Sequence, residues 1–189
     1  MIKTVKILSS ILLSLVITGC PAVSKNIVGL TDYKLDTKKI EGTWINDEGA
    51  MLIKVIDQDK GILKIFPLED KEKIETMKIK IMKGNAFLYF NILPEEESKD
   101  NEYIWGRIQI NDNRLIFWHA SNEAFTRAID KKIIKGTVKK EKQEDGKFCF
   151  TTSSAIITDS AENIINLVES SDKSYFIWDE PSVFFKLTK

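Results

Sequence analysis

From residue 40 onward, short runs of strand-forming residues alternate with polar connections. The first runs are Gly42–Ile45, Met51–Ile56, Ile62–Leu68, Ile74–Met82, Ala86–Leu93, Tyr103–Ile110 and Arg114–His119, separated by residues 57–61, 83–85, 94–102 and 111–113. Each later connection is short enough for a hairpin, so the pattern predicts neighbouring strands paired antiparallel in chain order. Met77, Ile79 and Ile81 alternate with Lys78 and Lys80, which places apolar side chains on one sheet face and charges on the other.

The period changes at residues 121–130, where Ser121 can cap a helix whose Ala124, Phe125, Ala128 and Ile129 share one face. Strands resume at Ile133–Lys139 and Lys147–Thr152, with a short piece at Ala155–Ile157. Asp159, followed three residues later by Glu162, resembles a capping box, and Ala161, Ile164, Ile165 and Val168 form an apolar stripe behind it. Tyr175–Trp178 and Val183–Leu187 close the chain as strands. Residues 40–189 therefore read as a single mainly β domain, an antiparallel up-and-down sheet or barrel of about ten strands with two short helices. Gly42-Thr43-Trp44 resembles the G-x-W opening of lipocalin-like barrels, in which the tryptophan plugs one end.

The first nineteen residues have a different character. Lys3 and Lys6 precede an aliphatic and serine run from Ile7 to Ile17, too short to span a bilayer well, and small residues follow. Ile17-Thr18-Gly19-Cys20 resembles the lipobox of bacterial lipoprotein signals. The resemblance implies removal of residues 1–19 and attachment of a diacylglycerol to Cys20, a membrane anchor without a spanning helix. An Asp after that cysteine commonly marks inner-membrane retention; here the position is Pro21, which implies the outer membrane, facing the periplasm. In a single-membrane bacterium the same anchor would display the protein outside. Residues 20–39, polar and without a period, read as the lipidated N-terminus and a tether reaching about 25 Å as a coil.

Cleavage leaves 170 residues, enough for one self-sufficient core. It also removes two lysines, leaving 26 basic and 28 acidic side chains, a balance that gives no electrostatic case for nucleic acid. With Cys20 acylated, Cys149 stands alone and no internal disulfide is expected.

Candidate chemistry is sparse. His119 is the single histidine, and a zinc site normally needs several His or Cys ligands, so no metal and no cofactor is expected. His119 shares strand phase with Leu115 and Phe117, where a hydrogen-bonded structural histidine is the ordinary expectation; Ser121, Ser153 and Cys149 lie in no nucleophile motif. Asp57, Asp59 and Gly61 suggest a calcium loop only superficially, because the fifth position is Gly61 and the twelfth is Leu68; a hairpin turn explains them. The aromatics are more informative. Phe87 shares a strand face with Tyr89, and Tyr103 with Trp105; with Trp44 they form a candidate lining for a small apolar ligand, although core packing accounts for them equally well. Two non-enzymatic functions stay open: a lipoprotein that binds a small apolar molecule or lipid, and an assembly partner that docks on another envelope protein.

Overall fold

A computed structural model describes residues 21–68, 76–95, 101–145, 148–170 and 175–187, with the backbone alone for 140–145 and 148–153. Seven strands run as a meander of hairpins: β3 (Gly42–Asn46), β4 (Gly49–Asp57), β5 (Ile62–Pro67), β6 (Met77–Lys83), β7 (Leu88–Leu93), β8 (Tyr103–Ile110) and β9 (Arg114–His119). The closing element is β12 (Ser182–Lys186), antiparallel to both β9 and β3. These eight strands form a closed antiparallel barrel. The sequence left sheet and barrel open, and β12 decides between them by removing both edges.

Eight strands enclose a space that side chains can fill. Trp44, Met51, Ile53, Leu63, Ile65 and Phe90 are among the residues buried there, packed with others from every strand. One end is plugged by the preceding chain: Leu35 and helix α1 (Thr37–Ile40), capped by the Asp36 carboxylate, place Leu35 and Ile40 in the interior. Trp44 Nε1 donates to the Ile40 carbonyl at 2.9 Å, and Lys186 Nζ donates to the carbonyls of Lys38 and Lys39 while lying 5.6 Å from the Trp44 ring. Asp57 and Gly61 belong to the β4–β5 hairpin turn, where Asp57 accepts from the Lys60 N–H and Gly61 adopts φ +69°. Only glycine is unstrained there, and a Cβ would also collide with the Ile81 carbonyl.

A second core lies outside the barrel wall. Strands β10 (Gly136–Asp145) and β11 (Phe148–Ile157) pair as a long hairpin whose inner half is joined to β8 through β1 (Val23–Ser24). Helices α2 (Asn122–Asp130) and α3 (Ala161–Ser170) cover it, burying Phe125, Ile164 and Ile165 against Tyr89, Trp105 and Trp118. A further two-residue strand, β2 (Thr31–Asp32), pairs with the end of β6.

Several expectations are corrected. Among the described residues there are three short helices rather than two, because the four-residue α1 is too short to carry a periodic signal. Phe148–Ile157 form one strand, and 175–178 contribute only a bridge between Ala120 and Phe176. At α3 the cap is Ser160, whose hydroxyl accepts from the Asn163 N–H; Asp159 instead accepts from the N–H groups of Ser160 and Lys135 and from the Asn163 amide. Hydrogen bonds from Asn163 and Lys135 hold the Asp159 carboxyl below the usual aspartate value.

The largest correction concerns the tether. Residues 21–39 are packed rather than free: Ala22, Val28 and Leu35 are fully or almost fully buried. The buried Asn91 side chain acts like a short length of strand, accepting from the Val28 N–H at 2.7 Å and donating to the Val28 carbonyl at 2.9 Å. Three separated apolar anchors and one amide clamp hold the segment, a pattern with no period to betray it.

Candidate binding site on the outer barrel face

Hairpin register builds the site. Tyr89 on β7 stands opposite Arg107 on β8, and Arg107 stands opposite Trp118 on β9, so three side chains form a row across the outer face. Gly106, beside Arg107, faces the barrel interior and lets β8 and β9 lie close, since a Cβ there would collide with the Trp118 carbonyl and the Phe90 ring. Phe87 comes from the turn before β7, and Trp178 from the C-terminal segment that bonds to the end of β9 through the Ile177 N–H and the His119 carbonyl.

The Arg107 guanidinium lies 3.6 Å from the centre of the Phe87 ring, 5.0 Å from Trp178 and 5.5 Å from Trp118. These distances are cation–π contacts, strongest for an arginine laid flat on an aromatic face. Among the described residues Arg107 has no hydrogen-bonded acceptor, so the N–H donors at the guanidinium edge are uncommitted. Burial lowers its pKa from the usual value, with Tyr89 and Glu169 opposing the shift, and the group stays charged.

Glu169, in the last turn of α3, supplies nearby negative charge, but its oxygens are taken. They accept from the Ala86 N–H at 3.2–3.3 Å and from the Tyr89 hydroxyl at 3.0 Å. Burial, followed by the Glu169 charge, pushes the Tyr89 hydroxyl well above its ordinary pKa, which keeps it a donor. The result is a half-exposed platform of rings around a cation whose in-plane donors fit a carboxylate or phosphate.

The expected site residues separate. Phe87 is part of the platform, Tyr89 supports it, and Trp105 lies beneath, fully buried with ring contacts to Tyr89, Phe125 and Phe176 at 5.4–6.4 Å. Tyr103 is half-buried at the β1 pairing, opposite Ser24. Trp44 is inside the barrel, on the other side of the wall, and does not join them. Arg107, Trp178 and Glu169 were missed. Arg107 was accessible through its shared phase with Trp105 and the two-residue loop at Asp112-Asn113, which sets Arg107 against Trp118; nothing local aligns Glu169 with this face.

His119 faces the barrel interior as its phase predicts, 6% exposed, with its ring edge-on to Phe90 at 5.5 Å. The expected hydrogen bond is not found, since neither ring nitrogen has a partner among the described residues. Burial pushes its pKa down from 6.5 to about 4, which makes it a neutral ring at neutral pH. Cys149 lies in β11, where the backbone alone is described, and Cys20 lies outside the described residues. Among the described residues no three His, Cys, Asp or Glu side chains gather as a metal site. A separate open groove of about 470 Å³ lies on the outer face of β4–β7, lined by Ile56, Lys64, Lys78 and Leu93 among others.

Compared with known proteins, the chain matches no family model, no curated protein and no solved structure.

Proposed function

We propose that this chain is a lipid-anchored, non-catalytic envelope protein that docks another envelope component on the Arg107 platform. The observation that carries the proposal is the Arg107 guanidinium, stacked on Phe87 beside Trp118 and Trp178 with its donors uncommitted among the described residues. Arginine and tryptophan in a partly desolvated cluster are the residue types that dominate binding energy at protein interfaces. The partner chemistry that fits is a carboxylate for the guanidinium edge flanked by an apolar side chain for the rings. The Cys20 anchor, and with it an outer-membrane location facing the periplasm, is proposed from the lipobox-like segment. A small apolar ligand held inside the barrel is the weaker proposal, because Trp44, Phe90 and their neighbours already occupy that space.

Photo-crosslinking in intact cells tests the docking role. A photoreactive residue at Gln109, exposed and two positions from Arg107 on the same strand, is expected to give a discrete protein adduct. Arg107→Ala should reduce that adduct by at least about tenfold, the loss typical of an interface hot spot. The exposed Lys54 on β4 should give none. An identical adduct pattern from both positions, or an adduct indifferent to Arg107→Ala, would contradict the proposal.

A further inference from the structure

We infer that the anchor holds the body flush against the lipid headgroups, with the side where Ala22 meets Ala120 turned to the bilayer. The inference rests on the proposed lipidation of Cys20 and concerns how the body is held, which lipidation alone leaves open.

The chain is fixed almost from the anchor onward. Pro21 and Ala22 are buried, and the Ala22 N–H donates to the Ala120 carbonyl at 3.2 Å. Val23 pairs with Ile104 on one side and Ile156 on the other, and the Lys25 N–H donates to the Ile157 carbonyl at 2.8 Å. Further along, Asn91 clamps Val28. Consecutive Cα atoms are 3.8 Å apart, so the Cys20 backbone lies within about 8 Å of Ala22, whatever its conformation. The polar layer of one leaflet is itself about 5–8 Å thick. An acyl chain seated in the hydrocarbon therefore brings Ala22 and Ala120 to the headgroups. A free tether of about 25 Å would have left every face equally far from the lipid.

The direction of the chain indicates which other element shares that side. β1 runs parallel to β11 with Val23 beside Ile156, so the chain leading back to Cys20 points the way of Ser153 and the outer half of the hairpin. That half is paired from Lys140 and Ser153 to Asp145 and Phe148. Six residues of strand extend it about 20 Å. Its sequence from Lys139 to Asp145 has six charged residues in seven, of mixed sign. Such a ribbon suits the headgroup layer and is excluded from hydrocarbon. The lipid surface is thus the partner of this side. The Asp112-Asn113 turn, at the other end of β9, stands about 20 Å away along the six residues Arg114–His119.

Headgroup quenching on the full lipidated protein in phosphatidylethanolamine and phosphatidylglycerol vesicles tests the orientation. A fluorescent amino acid replaces either Glu123, exposed in the first turn of α2, or the exposed Asp112. Nitroxide headgroups are expected to quench the Glu123 probe several-fold more than the Asp112 probe. A flexible insert of about 20 residues between Cys20 and Pro21 should abolish the difference. Equal quenching without the insert, in protein shown by mass to be acylated, would overturn the flush orientation alone. Protein without acyl chains would overturn the anchor and the orientation together.

Discussion

Replacing His119 by Phe is expected to remove about 2.5 kcal/mol of acid sensitivity, read as the difference in unfolding free energy between pH 7.5 and pH 4.5. The sign follows from burial. His119 has a folded pKa of about 4 against 6.5 for the free side chain, because the barrel interior disfavours the imidazolium and offers it no acceptor among the described residues. Between those values the unfolded chain holds a proton that the folded chain lacks. Stability is therefore complete above the unfolded value and falls as pH drops from 6.5 toward 4. Asp159 and Glu102, both held below their usual values, add a loss at lower pH, but they are common to both proteins and cancel in the comparison. Urea titrations of the two proteins at the two pH values check the result. Equal acid losses would mean that His119 finds a partner or solvent in the folded protein.

Asn91→Leu is expected to cost about 4 kcal/mol, since it leaves both the N–H and the carbonyl of Val28 buried without partners. The leucine adds apolar contact but cannot supply a donor and an acceptor together. The damage should be local before it is global. Hydrogen exchange at residues 22–30 should accelerate more than exchange in β4 and β5, where the hairpin ladder is untouched. A loss under about 1 kcal/mol, or uniform acceleration across the barrel, would show that Asn91 does not hold the segment. The stakes extend past stability, because this clamp turns the N-terminal segment from a tether into part of the body.

Local pattern revealed the barrel wall but not its closure. The bounds of β8 and β9 are readable from turn residues at 111–113, and the alternation of Met77, Ile79 and Ile81 with lysines gives the inner face of β6. Closure depends on Phe185 meeting Ile45 and Lys186 meeting Trp44, pairs separated by most of the chain. No window of sequence contains that information. The β10–β11 hairpin is longer than the pattern predicts for the opposite reason: a two-stranded ribbon needs no apolar face, so the expected strand ends at Lys139 while the backbone ladder continues through the charged stretch to Asp145. At the candidate site, strand phase correctly joined Phe87 to Tyr89. Phase alone could not tell the inner from the outer side of the wall, which is why Trp44 was grouped with residues it never meets.

The proposed location of the platform, and the class of partner it would reach, rest on the proposed acylation of Cys20. Intact mass of the protein purified from its native cells tests that proposal most directly. The account predicts a chain beginning at Cys20 and carrying the added mass of a diacylglyceryl group, with or without a further N-terminal acyl chain. An unmodified chain, or one that retains residues 1–19, would contradict it.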